Sequence, residues 1–142
     1  MRFYPEKWLP IKDEATKDRF EIVETDEKGK GLKTKVSFSE GDLVFAFTGV
    51  AINWRTLFTL QAKPFLHIED PYVMGRVLHS CNPNMSCDME TLKFYAKRNI
   101  EAGEFLTMDY DTTEEKLFQE FECNCGSENC RGTVTGYSQN LQ

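Results

Sequence analysis

Four of the chain's five cysteines place the strongest constraint on its fold. Three of them, Cys123, Cys125 and Cys130, form a C-x-C-x4-C array near the C-terminus. Three thiolates cannot complete a structural zinc site, which needs four ligands in a tetrahedral arrangement. Cys81 is the natural candidate for the fourth ligand, since it stands in a polar turn restricted by Pro83. The sequence therefore predicts a zinc ion that ties the C-terminal segment to this turn, so that any pocket between them depends on the metal.

Length and composition favour a reduced state for these cysteines. The chain has 142 residues, enough for about one domain whose hydrophobic core needs no disulfides. No apolar run approaches the ~18 residues of a transmembrane helix, and residues 1–7 lack the apolar segment of a signal peptide. We therefore expect an intracellular protein, cytoplasmic or nuclear, with no membrane partner, in which clustered thiols bind metal and do not pair as disulfides.

The net charge limits the kinds of partner. It is −6 at pH 7, the isoelectric point is about 5.0, and no block of basic residues occurs. Because nucleic-acid binding depends on neutralising phosphates with Lys and Arg, we expect no direct nucleic-acid partner. An acidic surface suits a cationic partner instead, such as a lysine-rich peptide.

Short apolar runs between glycine turns predict a mainly β domain with short helices. The turn Gly29-Lys30-Gly31 is by itself more typical of a simple turn than of a ligand site, although its glycines allow close backbone approach. Gly49 interrupts an apolar run where another segment is expected to pass closely. The predicted strands are 20–25, 43–52, 65–68, 92–97 and 105–110, and a capping-box pattern of Thr112 with Glu115 predicts a helix over 113–122.

Four sequence motifs occur in a defined order along the chain. Residues 28–32 read K-G-K-G-L, 79–84 read H-S-C-N-P-N, 103–110 read G-E-F-L-T-M-D-Y, and 121–132 read F-E-C-N-C-G-S-E-N-C-R-G. In this combination they resemble the SET domain family of protein-lysine methyltransferases, with its zinc-binding post-SET tail. The resemblance extends over about residues 20–136. Any one motif could arise by chance, but four in order are a specific signature.

The resemblance implies a fold and a division of the chain. In this family small β-sheets surround a C-terminal pseudoknot, in which the central H-S-C motif meets the D-Y segment. The implied parts are an N-terminal arm over 1–19, a SET domain over 20–112 and a post-SET zinc-binding tail over 113–142. The implied zinc ligands are Cys81, Cys123, Cys125 and Cys130.

The resemblance also implies a reaction and the residues that carry it. The reaction is methyl transfer from S-adenosylmethionine to the ε-amine of a lysine in a protein or peptide substrate. Tyr110 matches the catalytic tyrosine of the family, whose hydroxyl lies near the transferring methyl group and orients the amine. The cofactor would lie against the backbone of the glycine turn and the main chain around His79, with its adenine under the tail. The implied cofactor-binding residues are Gly29, Lys30, Gly31, Leu78, His79 and Tyr137.

Three positions depart from the family pattern and leave a second function open. Leu78 replaces an asparagine that contacts the cofactor, and Phe47 replaces a tyrosine. Met108 replaces an aromatic residue that influences how many methyl groups the lysine receives. The alternatives are a catalytically weak or inactive SET fold that acts as a peptide- or protein-binding module, and a zinc module whose metal serves folding alone.

Other side chains near these motifs are assigned to packing. Trp54, Phe58 and Tyr72 could line a lysine channel, but core packing is the favoured interpretation of each. Arg76 is close enough in sequence to contribute to the cofactor site, yet it is not assigned to it. Cys87, the fifth cysteine, is interpreted as a small buried hydrophobic residue.

Overall fold

The computed structural model describes residues 1–25, 29–114, 117, 121–123, 125, 127–134 and 136. This part of the chain is mainly β and contains no α-helix, with single-turn 3₁₀ helices at Met74–Arg76 and Tyr110–Thr112. No helix within it is long and apolar enough to cross a membrane. The strands are β1 Phe20–Glu24, β2 Lys30–Thr34, β3 Leu43–Ala46, β4 Val50–Ile52, β5 Thr59–Lys63, β6 Leu66–Glu69, β7 Leu78–His79, β8 Met85–Asp88, β9 Lys93–Ala96, β10 Thr107–Met108, β11 Phe121–Glu122 and β12 Thr133–Val134.

These strands form several small sheets. Two have three strands each, in the orders β3-β9-β8 and β4-β6-β5, and two are antiparallel pairs, β1-β2 and β11-β12. The fifth is a parallel pair in which Leu78 of β7 lies opposite Thr107 of β10 and His79 lies opposite Met108. This pairing brings the H-S-C motif next to the D-Y segment, as the family resemblance implies.

The hydrophobic core is built largely from phenylalanines of the central strands. Phe45 and Phe47 pack against Phe94 of β9, with ring centroids 4.9 Å and 5.3 Å apart, and all three are buried. Full burial of each such side chain contributes roughly 1.5–3 kcal/mol. Phe47, which departs from the family pattern, is therefore a core residue in this protein.

The predicted strand 43–52 is divided in two at Gly49. A Cβ atom at this glycine would lie 2.3 Å from the carbonyl oxygen of Glu69, so no other residue fits without backbone movement. The chain therefore leaves one sheet after β3 and enters another with β4. The close approach expected at Gly49 is confirmed, whereas the continuous strand is wrong.

The predicted helix over 113–122 is wrong at both ends. Thr112 does not cap a helix, because its Oγ1 donates to the carbonyl of Asp109 at 2.6 Å. Glu114 is not helical, and its carboxylate accepts a hydrogen bond from the Gln61 N–H at 2.7 Å. Phe121–Glu122 is strand β11, paired with β12. The remaining positions of this prediction, including Glu115, lie largely outside the described residues.

The N-terminal arm is anchored on the domain by Tyr4. Its hydroxyl donates to Asp70 Oδ2 at 2.6 Å, and both side chains are buried. The Asp70 carboxylate also accepts from the N–H groups of Tyr72, Val73 and Met74 at 2.8, 3.0 and 3.2 Å. Asp70 thus joins the arm to the turn that leads into the Met74–Arg76 helix.

Candidate active site and metal centre

The four cysteines at 81, 123, 125 and 130 form a cluster, called here the cysteine cluster. Their Sγ atoms all lie within 4.8 Å of one another, with the Sγ atoms of Cys81 and Cys123 3.9 Å apart. Four thiolates about 2.3 Å from a tetrahedral zinc ion would be about 3.8 Å apart. Sulfur donors in this number and spacing fit zinc, so the ligand set predicted from the sequence is brought together.

Contacts between the tail and the polar turn hold the cysteine cluster in place. The Asn129 side-chain amide donates to the Cys81 carbonyl at 2.8 Å, and the Arg131 N–H points at Cys81 Sγ at 3.4 Å. The Arg131 guanidinium donates to both oxygens of Asp109, at 2.9 and 2.5 Å, which adds a bidentate ion pair. These contacts tie the tail to the residue directly before Tyr110.

The ionisation of the thiols differs within the cysteine cluster. Burial raises the pKa of Cys123 to about 12 and also raises that of Cys81. Burial opposes ionisation of Cys125 too, but hydrogen bonds from the Ser127 hydroxyl and backbone N–H outweigh it and lower its pKa to about 5. A metal ion in the cluster would stabilise all four thiolates.

His79 connects the cysteine cluster to Tyr110. Its Nδ1 accepts a hydrogen bond from the Tyr110 N–H at 3.1 Å, so the ring proton is on Nε2, which lies 3.4 Å from Cys81 Sγ. The ring is buried, and its centroid is 5.1 Å from that of Tyr110. These contacts give His79 a positioning role and leave it no direct access to a substrate through either ring nitrogen.

The Tyr110 side chain lies at the wall of a small cavity of about 70 Å³, called here the first cavity. Its hydroxyl donates to the Val77 carbonyl at 2.7 Å. Burial raises the pKa of this phenol, and the negative charge of Glu114 adds to the shift. The hydroxyl therefore stays protonated and can orient a ligand but cannot serve as a base near neutral pH. Most of the described lining residues are apolar, and Glu114 is the acidic one among them; the apolar set includes Phe58, Leu60, Met74, Val77, Met108 and Leu117.

A second cavity, of about 480 Å³, lies beside the glycine turn. Its described lining includes aromatic side chains such as Tyr72 and one carboxylate, Glu21, and is net cationic because it also contains Lys17, Lys30, Lys35 and Arg76. Arg76 Nε donates to the Pro71 carbonyl at 3.0 Å, and its guanidinium lies 5.0 Å from the ring centroid of Phe58. Arg76 of the second cavity therefore contacts Phe58, a wall residue of the first.

The predicted cofactor-binding residues include two, Gly31 and Leu78, that the structure places in contact. Lys30 lines the second cavity, and Gly29 adopts a left-handed φ of 73° with open space where a side chain would begin. A Cβ atom at Gly31 would lie 2.8 Å from Leu78 Cδ1, so these two residues face each other and pack. His79 lies between Cys81 and Tyr110, and Tyr137 is outside the described residues.

Sequence reasoning missed several residues that line the cavities. Phe58 and Tyr72 line the first and second cavity respectively. Trp54 and Tyr72 are 59% and 37% exposed, so core packing was the wrong interpretation for both. Arg76 was not assigned to a site, and Glu114 was placed in a helix. The cationic cluster comes from three separate segments, and no local pattern could have indicated it.

The comparisons with known proteins agree with this geometry. The family model described as SET domain matches residues 29–111. The chain is similar to methyltransferase flvH of Aspergillus flavus, with 34% identity over 97 residues that cover 67% of this chain and 54% of flvH. It is also similar to a histone-lysine N-methyltransferase, H3 lysine-36 specific, of Mycosarcoma maydis, with 29% identity over 84% of this chain and 15% of the relative. The chain thus spans about half or less of these relatives.

A solved structure shows the same fold. It is the crystal structure of KRYPTONITE in complex with mCHH DNA, an H3(1-15) peptide and SAH. The TM-score is 0.64 at 22% identity, and the match covers 81% of this chain and 29% of KRYPTONITE. The predicted fold class, small β-sheets in the SET arrangement, is therefore confirmed.

Proposed function

This chain belongs to the SET domain family, and on that premise we propose that it transfers a methyl group from S-adenosylmethionine to the ε-amine of a lysine in a protein or peptide. One observation carries the proposal above the others. The Tyr110 hydroxyl, held on the Val77 carbonyl at 2.7 Å, lies at the wall of a narrow, mostly apolar cavity. Such a cavity admits the aliphatic part of a lysine side chain and presents an oriented hydroxyl to its nitrogen.

The first cavity would act on the lysine through desolvation and orientation. Apolar walls disfavour the charged ammonium and lower the pKa of the lysine, which raises the fraction of neutral amine. The protonated Tyr110 hydroxyl, which donates to Val77, keeps oxygen lone pairs that can accept a hydrogen bond from an amine N–H. Bound S-adenosylmethionine supplies an electrophilic methyl group on a sulfonium centre. The contribution of this chain is therefore mainly positioning and exclusion of water.

The second cavity supports binding of the methyl donor. Its four cations suit the carboxylate of the methionine part of S-adenosylmethionine, and Lys30 belongs to the glycine turn that the sequence assigned to the cofactor. The Pro71 carbonyl fixes Arg76 through Nε, which leaves the outer guanidinium nitrogens to face a carboxylate. Zinc in the cysteine cluster would hold Cys81 and, through His79, the backbone of Tyr110.

The test is methyl transfer by the zinc-loaded chain from labelled S-adenosylmethionine to histone H3 and to a lysine-rich peptide. Histone H3 is the first probe because the Mycosarcoma maydis relative is named H3 lysine-36 specific. Tyr110→Phe should abolish turnover and leave cofactor affinity within about twofold, because it removes only the orienting hydroxyl. Tyr95→Phe, a half-buried tyrosine on β9, is the matched control. Turnover by Tyr110→Phe equal to that of the unmodified protein would contradict the assigned role.

The same proposal covers the kind of substrate, the absence of direct nucleic-acid binding and the cellular location of the protein. A net charge of −6 supports a cationic peptide as partner and argues against direct nucleic-acid binding. KRYPTONITE is solved with DNA, so a DNA titration of this chain belongs in the test. Four clustered cysteines, without disulfides in the structure, support an intracellular location.

One observation favours a second candidate function, a peptide-binding SET fold with weak or no catalysis. Leu78 packs on Gly31 with its apolar side chain, so it offers no polar group to the cofactor. A hydrogen bond lost from a charged group is worth roughly 1.5–3 kcal/mol. Calorimetric titration with S-adenosylmethionine and S-adenosylhomocysteine separates the two candidates, because micromolar binding of either would show that the site tolerates Leu78.

A further inference from the structure

Glu114 has an unusual place in the structure. It follows the Tyr110–Thr112 helix, and its N–H donates to the Tyr110 carbonyl at 2.9 Å. Its side chain is only 5% exposed and lines the first cavity together with Tyr110. A buried carboxyl group at the wall of an otherwise mostly apolar cavity costs stability unless it is neutral or compensated.

Among the residues that the structure describes, no cation forms an ion pair with Glu114. Its Oε2 accepts from the Gln61 N–H at 2.7 Å, a contact that a neutral glutamine could make equally well. Among the described residues, three titratable groups interact with the charge of Glu114: Arg55, the Cys87 thiol and Tyr110. Burial is the largest influence and raises the pKa of Glu114 to about 7. Hydrogen bonds from Gln61 and Thr113 and the positive charge of Arg55 act in the opposite direction and lower the pKa.

The proposed reaction requires that the substrate ammonium lose a proton before its nitrogen can attack the methyl group. A free lysine ammonium has a pKa of about 10.4, so roughly one lysine in a few thousand is neutral at pH 7. The Tyr110 hydroxyl is unsuitable as the acceptor, because its pKa lies above the ordinary tyrosine value. An efficient general base has a pKa near the working pH and reaches the proton directly.

We propose that Glu114 is the general base that removes the proton from the substrate lysine in the first cavity, an inference that rests on the proposed function. One N–H bond of the ammonium breaks and one O–H bond forms on the Glu114 carboxylate. The ion pair becomes a neutral amine and a neutral carboxylic acid, and the net charge of the cavity is unchanged. In an apolar environment the neutral pair is favoured over two buried charges. The proton passes to water when the site opens.

The first test is the pH profile of kcat/KM for zinc-loaded protein with S-adenosylmethionine and an H3 peptide. For the unmodified chain we expect a rise through about pH 7, where Glu114 ionises, and then a plateau. Glu114→Gln keeps an acceptor for the Gln61 N–H but cannot take a proton. Its rate should be lower by about 100-fold near pH 7 and should rise about tenfold per pH unit, so it should approach the unmodified rate near pH 9.

Two variants control for structural effects. Like Glu114, Glu104 accepts a hydrogen bond from one backbone N–H, that of Glu101 at 2.6 Å, but Glu104 lies on the surface. The Glu104→Gln variant should therefore behave like the unmodified chain. Glu114→Asp keeps a carboxyl group and should keep the rise near pH 7 at a lower rate. A Glu114→Gln profile of unchanged shape, whether at full rate or uniformly reduced, would overturn the proposal.

A second measurement does not depend on turnover. Difference infrared spectra are recorded at about pH 8.5, where free Glu114 is ionised, as an H3 peptide binds in the presence of S-adenosylhomocysteine. The carbonyl band of a protonated carboxylic acid should appear when the peptide binds to the unmodified chain. It should not appear with the Glu114→Gln variant, or with a peptide in which methionine replaces the substrate lysine. Peptide binding without this band would overturn the role of Glu114. The band without any methylated peptide in the kinetic assay would overturn the proposed function and leave Glu114 as a proton acceptor.

Discussion

Replacing Tyr4 with Phe tests how strongly its hydrogen bond to Asp70 anchors the N-terminal arm. The change removes a 2.6 Å hydrogen bond to the buried Asp70 carboxylate, and it removes the acceptor of the Thr48 N–H at 3.1 Å. A hydrogen bond to a charged group is worth roughly 1.5–3 kcal/mol, and an unsatisfied N–H costs about 1 kcal/mol or more. We therefore expect the free energy of unfolding to fall by about 2–4 kcal/mol at neutral pH, as measured by urea denaturation.

The pH dependence of this loss provides a sharper test. Burial raises the pKa of Asp70 in the folded protein, and the Tyr4 hydrogen bond opposes that rise. Without the Tyr4 hydroxyl, the pKa of Asp70 in the folded protein rises further above its value in the unfolded chain. Ionised Asp70 then lowers the free energy of unfolding by a larger amount. The extra cost should disappear as the pH falls through the folded-state pKa, because a protonated Asp70 no longer needs the phenol hydrogen. Tyr95→Phe is the control. A loss below 0.5 kcal/mol, or one that is equal at neutral and acidic pH, would refute the reasoning.

Two further predictions concern the metal and the glycine turn. The chain should bind one zinc ion, and chelation should abolish cofactor binding. The phenylalanine core should stay folded on chelation, because it is a separate cluster from the cysteines. A metal-to-protein ratio clearly below one, or core unfolding measured by near-ultraviolet circular dichroism, would contradict this. Gly31→Ala should cost about 1–3 kcal/mol, because its Cβ would lie 2.8 Å from Leu78 Cδ1. Adding Leu78→Ala should recover part of that loss, and strictly additive effects would argue against the contact.

The metal centre was predictable because its chemistry is local and restrictive. A C-x-C-x4-C array lacks one ligand, and Cys81 in its polar turn supplies a fourth sulfur donor. Four of the five predicted strand regions likewise contain a single strand, as at 92–97, where β9 covers Lys93–Ala96. Alternation of apolar residues and glycine turns reflects constraints that act within a few residues.

The missed features depend on contacts between distant segments. The helix predicted over 113–122 fails partly because Glu114 bonds to Gln61, 53 positions earlier in the chain. The cations of the second cavity come from the arm, from β2 and its surroundings, and from the Met74–Arg76 helix. Neither arrangement leaves a periodic signal, because each is set by how whole sheets pack. The Thr112 part of the predicted capping box fails for a local reason instead, because its hydroxyl donates to the Asp109 carbonyl three residues earlier.

The contacts around Tyr110 argue against a zinc site that serves folding alone. Tyr110 is held at two points: its backbone N–H donates to His79 Nδ1, and its hydroxyl donates to the Val77 carbonyl. The first of these points depends on the cysteine cluster, since the other nitrogen of His79 faces Cys81 Sγ. The tail adds a further restraint through the ion pair between Arg131 and Asp109, which directly precedes Tyr110. A purely structural metal would need none of these contacts to converge on one phenol. A metal ion in the cysteine cluster would therefore do more than support folding, because it would hold Cys81 beside His79 and so help to fix the backbone of Tyr110 at the first cavity.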